Sequence, residues 1–129
     1  MLAADIAALK ARFTGREWPV IQALHPAPNS VVIDLTVVPT LSWFVGHFPS
    51  QPVLPGIVQT HWAGSFGQTL FALADRFSQA QNLKFQSMML PNTDVQLRLE
   101  LAPGGDSLKF SYRQDTTLYS EGRLDFALG

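Results

Sequence analysis

From Val95 to Leu101 apolar and polar side chains alternate: Val95, Leu97, Leu99 and Leu101 against Gln96, Arg98 and Glu100. A period of two predicts a strand buried on one face. The same logic predicts strands over Leu83–Met89, Asp94–Leu101, Ser107–Arg113 and Leu118–Phe126, with a hairpin turn at Pro103-Gly104-Gly105-Asp106 and another at Asp115-Thr116-Thr117. Short turns between consecutive strands mean an antiparallel meander. Earlier in the chain, Ser30–Val38 alternates clearly. Val32 and Asp34 fall on one face, which leaves Asp34 solvent-facing or paired, and Ile33 and Leu35 fall on the other. Trp18–Leu24 reads as a short strand, edge-like because of Pro19. His25-Pro26-Ala27-Pro28-Asn29 reads as a turn with His25 on its surface. Arg98, Glu100, Arg113, Glu121 and Arg123 read as a solvated sheet face, and Met88-Met89 as core filling, with soft filling of a chain-binding groove the other reading.

Two stretches follow the helical period instead. In Leu2–Phe13, Ile6, Leu9 and Phe13 share a face, and Thr14-Gly15 stops the run. The longer stretch is Gly56–Phe77. Its apolar set, including Ile57, Val58, Trp62, Phe66, Leu70, Leu73 and Phe77, spans too much circumference for a surface helix, so burial on nearly all sides is expected. Polar residues accumulate over Arg76–Gln81, where this helix is expected to end. Gly64 and Gly67 each cost up to about 1 kcal/mol relative to Ala inside a helix, so close packing against that face is expected. The architecture implied is one α+β domain over residues 1–129: an N-terminal helix within 1–16, and an antiparallel sheet of five or six strands curled round one long helix over 56–77.

Composition narrows the function classes. With 129 residues, 47% hydrophobic and 15% charged, the chain has enough length and apolar content for a single core. Its net charge of −1 implies no bulk attraction to nucleic acid or to an anionic membrane. There is no cysteine, which removes disulfides, thiolate metal sites and a cysteine nucleophile together. No apolar run approaches the roughly 20 residues needed to span a bilayer. The N-terminus lacks a signal-peptide pattern, and a cytoplasmic protein is expected. Lys10, Arg12 and Arg16 have two readings, a solvated helix that caps the sheet or a small basic patch for an acidic carrier protein.

The candidate chemistry is concentrated between Trp43 and Gly67, which holds His47 and His61. Pro49, Pro52 and Pro55 stiffen the approach to a helix that starts at Gly56. The first turn of a helix has N–H groups without intrahelical partners, and its dipole favours negative charge. Gly56 has no Cβ, so an oxygen can approach its N–H closely. An oxyanion-binding helix start flanked by two imidazoles suits proton transfer next to a carbonyl. Trp43 and Phe44 have two readings here, core anchors or walls of an acyl tunnel. A metal site on His47 and His61 is disfavoured, because no third ligand is near and no metal-binding pattern is present.

The string Gly46-His47-Phe48-Pro49, followed by Pro52-Val53-Leu54-Pro55-Gly56, resembles the signature of the β-hydroxyacyl-(acyl carrier protein) dehydratases. The resemblance runs from about Trp18 to Phe126. That family has the hotdog fold, and the resemblance implies a homodimer joined sheet edge to sheet edge. The loop histidine of one chain then meets the helix residue of the other. A heterodimer with a second dehydratase is the variant form. One departure stands out. The family has Glu or Asp six residues after the proline of its Pro-Gly pair, and here that position is His61. The tail Pro55-Gly56-Ile57-Val58-Gln59-Thr60-His61-Trp62-Ala63 resembles a branch of small dehydratase-like proteins found with aryl-polyene pigment synthesis.

The resemblance implies dehydration of a 3-hydroxyacyl thioester on an acyl carrier protein, without a cofactor. His47 is the candidate base, since an imidazole with a reference pKa of about 6.5 is largely neutral at pH 7. The Gly56 N–H is the candidate oxyanion donor. Ile57, Phe48, Trp43 and Trp62 are the other candidates for substrate binding. His61 is the candidate acid or water-positioning group, and two coupled imidazoles can share one proton. Two other readings stay open: a non-catalytic hotdog subunit that partners an active dehydratase, and an acyl thioesterase. The second lacks a motif carboxylate to activate water.

Overall fold

Ser30–Val37 buries Val31, Ile33, Leu35 and Val37 and leaves Val32, Asp34 and Thr36 half-exposed, the alternation its sequence predicts. In the computed structural model, which describes residues 2–44, 52–73 and 76–127, this strand is β2. The others are β1 (Val20–Ala27), β3 (Arg76–Phe85), β4 (Thr93–Leu101), β5 (Ser107–Gln114) and β6 (Thr117–Ala127). They form one six-stranded sheet in the order β1-β2-β4-β5-β6-β3, with every neighbouring pair antiparallel. Two helices accompany it, α1 (Ile6–Arg12) and α2 (Gly56–Phe71), with a short 3-10 turn at Ser42–Phe44. The architecture is the α+β hotdog arrangement, a sheet folded round α2.

The side of α2 that meets the sheet carries Val58, Gln59, Trp62, Ala63, Phe66, Gly67 and Leu70, all buried. The glycines show how close the approach is. A Cβ on Gly64 would lie 3.4 Å from Leu124 Cδ1, and one on Gly67 would collide with Leu108 Cδ2. At Gly67 the helix cost is offset by sheet contact that a larger residue would block, whereas a Cβ at Gly64 would reach ordinary van der Waals contact. α1 seats Leu9 and Phe13 in the same core, with the Phe13 and Phe66 rings 5.0 Å apart edge to face. Asp5 caps α1, accepting a bond from the Ala8 N–H at 2.9 Å, and Lys10 and Arg12 lie in its last turn, where the dipole favours cations.

Three sequence expectations are corrected. The central helix ends at Phe71, not Phe77. Ala72 adopts a left-handed conformation (φ 50°, ψ 47°), and the Leu73 N–H closes the turn on the Gln68 carbonyl at 3.2 Å. Arg76–Phe85 is then strand, where a helix end and a later strand over Leu83–Met89 were expected. It pairs with β6 from Arg76 opposite Ala127 to Phe85 opposite Ser120. His25 lies within β1 rather than in a turn. Pro26 is tolerated because β1 is an edge strand, and the reversal falls at Pro28-Asn29, with Asn29 at φ 60°. From that position His25 Nε2 lies 2.8 Å from Asp34 Oδ2, so Asp34 is paired.

Candidate functional site

The chain enters α2 through Pro55, whose φ of −60° and ψ of 144° are extended, and among the described residues no side chain caps the helix. The first bonds of the helical ladder run from the Val58 and Gln59 N–H groups to the Pro55 carbonyl, at 3.1 and 3.2 Å. The Gly56 and Ile57 N–H groups therefore precede the ladder and have no intrahelical acceptor. Over this helix start lies a ring that the sequence reading missed. A Cβ on Gly56 would sit 2.6–2.9 Å from three atoms of Phe85. Phe85 is 51% exposed at the end of β3 and forms a wall beside Gly56. Its place follows from a strand pairing that alternation could not reveal.

His61 lies one and a half turns into α2 on the face away from the core. That face carries Ile57, Thr60, His61, Gly64, Ser65 and Gln68, and with Phe77, Leu124 and Phe126 it lines a cavity of about 360 Å³. Among the described residues the lining is apolar apart from Thr60, His61, Ser65 and Gln68, and it holds no carboxylate. Trp18 packs against His61, with ring centroids 5.3 Å apart and planes inclined by 32°. Ile57 is 79% exposed and Phe77 53% exposed. These two, Phe85 and Met88 are large apolar side chains left open on or beside α2 and the edge strand β3.

The other expected site residues divide. His47 and Phe48 lie outside the described residues. Gly56 and Ile57 stand at the helix start. Trp62 is fully buried, and its indole N–H donates to the Glu17 carbonyl at 2.9 Å. The half-buried Trp43 donates to the same carbonyl, also at 2.9 Å. Both indoles thus pin the segment that presents Trp18 to His61, and neither lines the cavity beside His61. Arg16 is tied through Nε to the Thr40 carbonyl at 3.1 Å, while Lys10 and Arg12 stay exposed. Among the described residues no group of three or more His, Cys, Asp or Glu side chains could hold a metal ion, and no helix is long and apolar enough to cross a membrane.

Behind the helix start lies a buried polar cluster that periodicity did not announce. Gln59 Nε2 donates to the Leu54 carbonyl at 3.2 Å, and Gln59 Oε1 accepts from Ser120 Oγ at 2.6 Å. The Tyr112 hydroxyl donates to the Gln59 backbone carbonyl at 2.7 Å. Burial pushes the Tyr112 phenol well above its ordinary range, opposed in smaller part by a hydrogen bond with the Ala63 backbone. The unfolded phenol releases its proton near pH 10, while the folded one retains it. Its contribution to stability is therefore complete below about pH 10 and is lost as the pH rises further. The unfolding midpoint is expected to fall above about pH 10, and to fall less steeply in Tyr112→Phe, as thermal melts across an alkaline series would show.

Comparison with known proteins bears on the family and the fold. The family described as ApeI-like, ApeI dehydratase, matches residues 23–123. A chain of the dehydratase heterocomplex ApeI:P from Xenorhabdus doucetiae is 34% identical, with a TM-score of 0.78 over 84% of this chain and 97% of that one. An uncharacterized protein from Erwinia carotovora subsp. atroseptica is 33% identical, with a TM-score of 0.72 over 85% of this chain and 96% of its own. Zebrafish thioesterase superfamily member 2 shares the fold alone, at 15% identity and a TM-score of 0.58, over 84% of this chain and 81% of that one. No curated protein sequence matches significantly.

Proposed function

The chain belongs to the ApeI-like dehydratase family, and from that premise we propose that it dehydrates a 3-hydroxyacyl thioester, borne on an acyl carrier protein, to the trans-2-enoyl thioester in fatty-acid or polyene-type synthesis. The observation that carries the proposal is the uncapped helix start at Gly56, walled by Phe85, with His61 farther along the same helix beside an apolar cavity of about 360 Å³.

The chemistry follows from these groups. The imidazole of His47 takes the proton from the carbon next to the thioester carbonyl. Negative charge then builds on the thioester oxygen, where the Gly56 N–H and the dipole of α2 receive it. The electron pair returns to form the carbon–carbon double bond, the bond from the next carbon to its hydroxyl breaks, and a proton joins the leaving oxygen to make water. His61 orients that hydroxyl or delivers the proton, in place of the acidic residue of related dehydratases. The apolar cavity takes the acyl chain, which offers no hydrogen bonds of its own.

A partner chain completes this site. Among the described residues β3 is an edge strand with one side unpaired, and the exposed apolar residues on and beside it are a surface that solvent does not favour. A second hotdog chain docked there brings its own loop histidine towards His61. Two partners fit, a second copy of this chain or an acid-bearing dehydratase. The similarity to a chain of a dehydratase heterocomplex, together with His61 in the acid position, favours testing the second.

The test is mass spectrometry of a 3-hydroxyacyl-carrier-protein thioester incubated with the purified protein. Loss of one water from the acyl group is the expected result. No loss by a folded dimer, with activity appearing only on addition of an acid-bearing dehydratase chain, would reassign the protein as a non-catalytic subunit. Release of the free acid would make it a thioesterase.

A further inference from the structure

Gln59 is 3% exposed on the core side of α2, where the other buried positions are apolar or small. Core packing alone asks for no amide there, since an aliphatic side chain would fill the space without needing partners. What the amide adds is a grip on the turn into the helix. Its Nε2 holds the Leu54 carbonyl at 3.2 Å, while its backbone N–H holds the Pro55 carbonyl at 3.2 Å. One residue therefore restrains both peptide carbonyls flanking Pro55. The Leu54 N–H is bonded in turn to the Met89 carbonyl at 2.8 Å.

Few torsions remain between these anchors and the Gly56 N–H. The Leu54–Pro55 peptide plane is fixed by the bond to its carbonyl. The proline ring fixes φ of Pro55. Only ψ of Pro55 then sets the direction of the Gly56 N–H, and the bonds to the Pro55 carbonyl restrain that torsion. The other end of the linkage is rigid too. Ser120 and Tyr112 are cross-strand partners in β5 and β6. Ser120 donates to the Gln59 side chain and Tyr112 to its backbone carbonyl, so one strand pair holds one helix residue at two points.

We infer that Gln59 is a positioning residue, which transmits the placement of the Tyr112–Ser120 strand pair to the Leu54 carbonyl and so sets where the Gly56 N–H points. This rests on the reading of Gly56 as the oxyanion donor in the proposed dehydration. Gln59 touches no reacting atom. It acts through the Leu54–Pro55 peptide.

The test compares Gln59→Met, Ser120→Ala and the double variant, in whichever assembly turns over, by kcat and KM, urea unfolding and amide hydrogen exchange at Val58 and position 59. Gln59→Met keeps the side-chain length and removes both side-chain bonds. The expected result is a kcat lowered about 10–100-fold with KM roughly unchanged, because a small displacement of a catalytic group has effects of that order. Ser120→Ala strands a buried acceptor and lowers the unfolding midpoint. The double variant removes Ser120 and its acceptor together and regains part of that stability, the Leu54 carbonyl still lacking its donor, yet its kcat stays low. Exchange at Val58 and at position 59, whose N–H groups bond the Pro55 carbonyl, is faster in both variants that lack the amide. A kcat that recovers together with stability in the double variant, or exchange unchanged by Gln59→Met, overturns the inference. If the wild-type protein turns over nothing in any assembly, the dehydratase reading fails alone, and the exchange rates still decide whether Gln59 holds the helix start.

Discussion

His47→Ala is expected to cut dehydration by about 10²–10⁴-fold, the range that a positioned general base contributes, while the protein stays folded. The elimination needs a base for a carbon-bound proton, and the described part of the site offers no substitute. The cavity beside His61 is lined by no carboxylate. His61 lies on the helix rather than in the loop motif, in the position where related dehydratases hold their acid. The third histidine, His25, sits on the outer sheet face, paired with Asp34, and His25→Ala is the matched control, expected to leave turnover unchanged. The readout is the rate of water loss from the carrier-bound thioester, with circular dichroism to confirm the fold. Turnover close to wild type in His47→Ala would remove His47 from the mechanism and leave the helix start without a base.

What could be read from the chain alone follows from where each signal is stored. β2 and β4 announce themselves because each buries one face, so alternation in sequence is alternation in space. The start of α2 is equally plain, since Pro55 and Gly56 act locally. Its end is not. Leu73 and Phe77 continue an apolar pattern past the break, and the break is made by Ala72, a strong helix former, in a left-handed conformation. β3 was misplaced for a related reason. As an edge strand it is exposed along most of its length, so it has no buried face to produce a period of two. Gln59 was invisible because its partner Ser120 is 61 residues away and a polar side chain on a helix reads as solvated. The Trp62 indole was a candidate for substrate binding, and only the fold shows its N–H spent on the Glu17 carbonyl. The local turn chemistry of Pro55 and Gly56 was legible, and side chains held by distant partners were not.

The Glu17 carbonyl links stability to the site, and Trp62 is where that link is strongest. Trp62→Ala is expected to destabilise the protein by about 3–5 kcal/mol, the cost of emptying a buried aromatic site. That is a large share of a total that for a domain of this kind is about 5–15 kcal/mol. Trp62 is fully buried, and the cavity would open between α2 and the segment before β1. The Glu17 carbonyl would keep only the Trp43 bond. Trp18, the next residue, packs on Phe13, Phe66 and His61, so its ring gains freedom when the carbonyl beside it is half released. Trp62→Phe retains most of the apolar volume, leaves a smaller void, and loses the indole bond, at about 1 kcal/mol for the bond itself. Urea unfolding of both variants separates the terms. If Trp62→Ala unfolds at nearly the wild-type midpoint, the core around α2 is held by contacts other than this one. If Trp62→Phe costs as much as Trp62→Ala, the shared Glu17 carbonyl outweighs the packing, and the pinned segment rather than the helix core is what keeps Trp18 against His61.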